Sequence, residues 1–249
     1  MTEDVIVARR DGVMCITMNR PNRKNALTGA MYDKMTASLE EADDNDAIRA
    51  VFLEGSGGSF TAGNDLADFL AAASGGAEPR ATPFIRKIAL IDKPLVAAVD
   101  GVAVGVGVTL LFHCDLAYAA PTSTFRMPFV DFGLVPEAGS SVTVPARLGI
   151  AKASEFLLLA DGFDAAEACR LGIVNAVIPV GELADTAFDA ARRLAAKPVA
   201  ALRATRRLIR GDRAHILAAM DRENTAFTAA LASMEARAAF EAFLGKAKV

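Results

Sequence analysis

At the start of the chain apolar and polar positions alternate through Val5–Ala8 and again through Val13–Met18. The two runs flank Asp11-Gly12, which predicts a β-hairpin. Asn19 to Asn25 is a turn-rich basic loop. Beyond it Thr28 is placed to cap a helix whose Met31, Met35, Leu39 and Ala42 keep helical spacing until Asp43-Asp44. Ala50–Leu53 is a short apolar run closed by glycines, and Phe84, Ile88 and Ile91 mark a short helix that Lys93-Pro94 ends. Leu95–Val99 is continuous apolar sequence, the pattern of a strand buried on both faces. Cys114–Ala119 and Thr124–Met127 are further strand candidates. From Ala151 onward the period is helical: Ala151–Ala160, Ala165–Leu171, Glu182–Ala196, Pro198–Arg210 and Arg213 to about Phe243, with only Ile173–Ile178 as a strand.

Strands alternating with helices predict α/β architecture with parallel pairing. A boundary near residues 190–197 divides an α/β core, residues 1–195, from a helical region, residues 196–249. The tail carries an apolar stripe (Leu202, Leu208, Ile209, Leu217, Met220, Phe227, Leu231). Such a stripe either packs on a neighbouring subunit or folds back on its own core.

Two glycine-bearing turns break the pattern. After the strand at Leu95–Val99 come Asp100-Gly101, Gly105 and Gly107, and then the apolar Val108–Phe112. A strand, a glycine turn and a helix start together favour negative charge. The spacing G-x-x-x-G-x-G lacks the third glycine of a dinucleotide site, because position 110 is Leu, and no G-K-[ST] follows. What remains is either an oxyanion held by backbone N–H donors or a packing turn between core elements. The earlier turn, Ser59 to Leu66, also leads into a helix, and Ser74–Pro83 reads as a lid or a loose loop.

Composition narrows the class. The 249 residues are 53% hydrophobic with a net charge of −3, which argues against nucleic acid as a general partner. No run of apolar residues is long enough for a membrane span, and MTEDVIVARRDG is not a secretory leader. Cys15, Cys114 and Cys169 sit in apolar surroundings without metal-ligand spacing and read as reduced thiols of a cytoplasmic protein. His113 and His215 have no partner that suggests a metal or a nucleophilic set, and both read as structural. Asp65 and Asp115 read as loop braces.

Taken in order, NRPNRKNAL, FTAGNDL, DGVAVGVGVTLLFHCDLAYA, FGLVPEAG and ACRLGIVNAVIP resemble the crotonase, or enoyl-CoA hydratase/isomerase, superfamily over nearly the whole chain. The resemblance implies a spiral of ββα turns, a C-terminal region used in assembly into a trimer or a dimer of trimers, and an acyl-CoA substrate. It implies no cofactor beyond the CoA of that substrate. It gives the thioester oxygen two backbone donors, Asn64 and Val106. Ala62, Gly63, Asn64, Asp65, Leu66, Ala26, Lys24 and Phe129 would line the substrate's path, with Arg23 near its phosphates.

The reaction turns on carboxylates. Hydration of an enoyl thioester calls for two positioned carboxylates. The positions that the resemblance assigns to them hold Thr109 and Phe129. Glu137 stands where a subset of Δ3,Δ2-enoyl-CoA isomerases carries its single base. Among Phe129, Phe132, Leu134 and Val135 such a carboxyl would be desolvated and its pKa raised. The alternative role for Glu137 is a cap on a helix beginning at Pro136, and Asp131 is the alternative acid. The favoured function is therefore an isomerase. The alternatives are a 2-enoyl-CoA hydratase, another crotonase-type reaction (a dehalogenase of the family has an aspartate at the position of Glu137), and a non-catalytic acyl-CoA-binding relative.

Overall fold

The computed structural model describes residues 3–67 and 80–246. The hairpin strands β1 (Val5–Arg10) and β2 (Val13–Met18) pair antiparallel about Asp11-Gly12, both at positive φ. Strands β3 (Ala50–Gly55), β4 (Leu95–Val99), β6 (Leu116–Ala119) and β9 (Ala176–Val177) then extend a six-stranded sheet in parallel, in the order β1-β2-β3-β4-β6-β9. A second sheet of three strands has the order β5 (Val102–Val104), β7 (Thr124–Arg126), β8 (Phe163–Asp164).

The two sheets are linked by short steps. The chain leaves β4, turns at Gly101 and enters β5 in the other sheet; likewise it leaves β6 and enters β7. Gly101 has φ 62°, and a Cβ there would lie 2.1 Å from the carbonyl oxygen of Gly58. That corner therefore excludes any side chain.

Both faces of the large sheet are covered, which explains the unbroken apolar runs of its central strands. On one face lie α1 (Gly29–Asp44) and α2 (Ala81–Leu90), burying Met31, Met35, Leu39, Phe84 and Ile88. On the other lies α6 (Val180–Ala195), whose Leu183, Ala187, Phe188 and Ala191 meet Val13, Phe52 and Val96. As expected, the Thr28 hydroxyl caps α1 by accepting from the Met31 N–H.

Several elements differ from the sequence reading. Val102–Val104 is a strand inside what reads as a glycine turn, and Phe163–Asp164 is another. Each is too short to leave a periodic signature. The apolar Val106–His113 forms α3 (Val106–Thr109) and then a 3-10 turn, Leu110–His113. The helix expected from Ala151 begins much earlier: α4 spans Ser140–Ser154 and runs on as a π turn, Glu155–Leu159. Pro145 lies inside α4 and Gly149 kinks it, with φ 76° and ψ 160°, which is why its first half does not read as helix. After α5 (Ala165–Arg170), the segment expected as the strand Ile173–Ile178 pairs only over Ala176–Val177. Most of the candidate lid at Ser74–Pro83 lies outside the described residues, but Pro83 belongs to α2.

The helical tail consists of α7 (Val199–Arg210), α8 (Ala214–Leu231) and α9 (Met234–Lys246). Met220, Phe227, Ala236 and Phe240 join the main core, and Phe240 stacks on Phe132 at 5.4 Å. The last two helices thus fold back on their own chain. On α7, Arg206 and Arg210 grip Asp115 at 2.8 and 2.9 Å, while Leu208 and Ile209 face solvent, 84% and 79% exposed. Asp115 is the brace that the sequence suggested. Among the described residues no helix is long and apolar enough to cross a membrane.

Candidate active site

The two glycine turns lie against each other. The Thr61 N–H donates to the Val102 carbonyl and the Val104 N–H to that of Thr61, each at 3.0 Å. Gly63, at φ 87°, permits the contact, since a Cβ there would stand 2.9 Å from the carbonyl oxygen of Val104. The early basic loop closes on the same turn: Ala62 N–H reaches the Lys24 carbonyl at 2.9 Å, and Leu27 N–H the Gly63 carbonyl at 2.8 Å.

Within this lattice the N–H groups of Ala62, Gly63, Asp65, Val104, Gly105 and Val108 all have acceptors. Those of Asn64 and Val106 donate to no acceptor among the described residues. Val106 is the first residue of α3, where an amide has no intrahelical partner. Two unspent donors on two interlocked turns can serve a developing negative charge.

A small cleft of about 40 Å³ lies beside Asn64, lined also by Ala81, Ile85, Glu137, Met220 and Phe227 among others. Glu137 enters it on a loop that cannot relax into the following helix. Ala138 and Gly139 are both left-handed, at φ 62° and 69°, so α4 starts only at Ser140. Glu137 therefore does not cap a helix from Pro136. Its backbone carbonyl accepts from Ser140, and its carboxyl lines the cleft.

Burial pushes the Glu137 carboxyl up to about 7 from 4.5. A hydrogen bond from the Thr109 hydroxyl, 2.9 Å to Oε1, works against that rise, and the charge of Glu223 adds to it. Tyr32 supports the Asn64 side chain, its hydroxyl donating to Asn64 Oδ1 at 2.5 Å. Burial, and secondarily the Glu137 charge, raise the Tyr32 phenol well above its usual range. Below the loop, buried His113 faces the Ala138 carbonyl through Nε2 at 2.7 Å. Burial lowers His113 to about 4, so the ring is neutral near pH 7 and Nε2 donates.

The structure thus brings Asn64 and Glu137 onto one cleft, with Val106 buried behind the turn. Ala62, Gly63 and Leu66 belong to that turn; Asp65 braces it through Arg20 at 2.6 Å. Ala26 is partly exposed beside the turn, and Arg23 and Lys24 are exposed. Phe129, 7% exposed, packs into the core. Asp131 lies on the outer surface, paired with Arg126 at 2.7 Å, and does not face the cleft. His215 is exposed and bonded to the Asp212 carbonyl.

Sequence reasoning missed Glu223 and Tyr32. Glu223 was visible in outline, because it interrupts an apolar face at helical spacing between Met220 and Phe227. Nothing in the sequence marks Tyr32 apart from a core aromatic.

Residues 8–249 match the family model described as enoyl-CoA hydratase/isomerase. The chain is 37% identical over 229 residues to enoyl-CoA delta isomerase 2 of Rattus norvegicus, a match covering 89% of this chain and 58% of the rat protein. It is 33% identical over 254 residues to the 1,2-epoxyphenylacetyl-CoA isomerase of Escherichia coli K12, covering 99% of this chain and 97% of that one. Among solved structures, an enoyl-CoA hydratase/isomerase from Pseudoalteromonas atlantica T6c superposes with a TM-score of 0.93 at 38% identity, over 98% of each chain.

Proposed function

The chain belongs to the enoyl-CoA hydratase/isomerase family, an acyl-CoA enzyme family, and on that premise we propose that it is a Δ3,Δ2-enoyl-CoA isomerase with Glu137 as its one proton shuttle. The observation that carries the reading is the carboxyl of Glu137, held near 7 in the cleft that Asn64 also lines. The residues standing where a hydratase would place its carboxylates are a hydroxyl, Thr109, and a core aromatic, Phe129. A carboxyl with a pKa near the working pH exists in both protonation states, as a shuttle requires.

In the proposed step the Glu137 carboxylate takes a proton from C2 of a 3-enoyl-CoA. The electron pair moves toward the thioester, whose oxygen becomes negative and is held by the N–H groups of Asn64 and Val106. The double bond shifts to C2–C3 as the same carboxyl returns its proton to C4. Nothing is oxidised and no cofactor takes part. The substrate's CoA would approach over Lys24 and Arg23, and assembly would use the exposed apolar pair on α7. The rat relative is named an enoyl-CoA delta isomerase, and the Escherichia coli relative, matched over 97% of its length, is named as an isomerase of another CoA thioester.

Incubation of the purified protein with 3-enoyl-CoA and, separately, with 2-enoyl-CoA tests the reading. Conversion of the 3-enoyl substrate to the 2-enoyl product is expected. Faster hydration of the 2-enoyl substrate would overturn the choice of reaction, and no turnover of either would favour a binding role.

A further inference from the structure

The loop that presents Glu137 is left-handed at two consecutive residues, Ala138 and Gly139. An alanine holds that conformation only where its surroundings impose it. The helix that follows, α4, has glycine as its N-cap and therefore no side chain of its own to take the first amides. Those amides are taken from another element. Glu223, on α8 and 7% exposed, accepts from the Gly139 N–H at 2.6 Å through Oε2 and from the Ser141 N–H at 2.8 Å through Oε1.

We infer that Glu223 is a positioning residue for the reaction: bound to the amides of Gly139 and Ser141, it locks the loop that aims Glu137 and keeps a fixed negative charge beside that base. This rests on Glu137 acting as the base. Three constraints meet on the short segment after Glu137: the His113 imidazole on the Ala138 carbonyl, the Ser140 amide on the Glu137 carbonyl, and the Glu223 carboxylate on the next two free amides. Only the last comes from the helical tail, and it is a carboxyl beside another carboxyl. Among the described residues, the Thr109 hydroxyl on α3 bonds Glu137, the Tyr32 phenol on α1 feels its charge, and Asn64 lines the same cleft. Arg86 on α2 also borders the cleft and pairs with Asp221. Glu223 is thus the like charge that raises Glu137 further, after burial has done most of it.

Glu223→Gln keeps the volume, removes the charge and leaves one of the two amides without an acceptor. The expected result is a fall in kcat of about tenfold or more with KM within threefold. The acid limb of the pH–rate profile, which reports ionisation of Glu137, should move to lower pH. Without substrate, the ¹³C resonance of the Glu137 carboxyl, assigned by its loss in Glu137→Gln, should titrate below its wild-type value. A purely structural cap would lower Tm and leave that titration in place. Unchanged kcat together with an unmoved titration overturns the inference. Should Glu223→Gln fail to fold, Glu223→Asp retracts the carboxylate by about one bond while keeping its charge; there reduced kcat at similar KM supports the inference and unchanged kcat overturns it. If Glu137→Gln proves fully active, the reading of the base fails, whereas the titration of Glu137 still reports on Glu223.

Discussion

The Thr109 hydroxyl donates to Oε1 of Glu137 across 2.9 Å, so the position that the resemblance gives to a hydratase carboxylate serves another carboxylate instead. Thr109 is fully buried, and its hydrogen bond favours the ionised form of Glu137. Thr109→Val keeps the shape and deletes the donor. Glu137 should then ionise at higher pH, by up to about one unit if the bond is worth ~1.5 kcal/mol to the charged form. The pH–rate profile checks this, since its acid limb should move alkaline, opposite to the change expected for Glu223→Gln.

Glu137→Gln separates catalysis from stability. Turnover of 3-enoyl-CoA should fall roughly 10²–10⁴-fold, as for loss of a general base, with CoA-thioester affinity retained. Stability should move the other way. Because the folded carboxyl is raised from 4.5 to about 7, folding favours its protonated form. That contribution is present in full below the unfolded value and is lost as pH rises through about 7. The variant escapes the loss, so above pH 7 it should be more stable than wild type by on the order of 1–3 kcal/mol, the partly open cleft reducing the full value. Below pH 4.5 the two should converge. Denaturant unfolding at several pH values measures both limits.

Gly63→Ala tests the interlocked turns. The new methyl would meet the Val104 carbonyl at 2.9 Å from a backbone at φ 87°, so the turn bearing Asn64 must move away from the turn bearing Val106. If their two amides hold the thioester oxygen, turnover should drop about 10²–10³-fold. Gly172→Ala is the control: its φ of 71° is equally left-handed, but open space surrounds it. That variant should lose some stability and keep its rate. Equal activity in both variants would remove the basis for the proposed oxyanion site.

Leu208 and Ile209 stand side by side on α7, 84% and 79% exposed, on a chain proposed to self-associate. Changing both to Lys should shift the mass measured by light scattering from a trimer, or a dimer of trimers, toward the monomer. Neither side chain packs into the chain's own core, so the circular dichroism spectrum should hardly change. A wild-type protein that is monomeric at micromolar concentration would contradict the assembly.

The elements legible in advance are those with a long period or a decisive turn residue. Asp11-Gly12 marked the hairpin, Thr28 marked the start of α1, and the spacing of Met31, Met35 and Leu39 marked its buried face. Val102–Val104 and Phe163–Asp164 escaped because two or three residues carry no periodicity; they become strands only when the other sheet segments lie alongside. The first half of α4 escaped because Pro145 and Gly149 contradict a helix locally, while packing of Val144 into the core overrides them.

The same division holds at the site. The chain by itself determined the family motifs, the two glycine turns and the single glutamate at the isomerase position, because turn geometry and residue chemistry are local properties. Only the tertiary structure decided that Asp131 points away toward Arg126, that Phe129 lies in the core, and that Thr109 bonds Glu137. It also brought Glu223, 86 residues further along, onto the loop behind Glu137. A carboxyl's pKa depends on burial and on charges within a few ångströms, whatever their distance along the chain. The identity of the proposed base was therefore written locally, and the surroundings that raise its pKa formed only when α8 folded back over it.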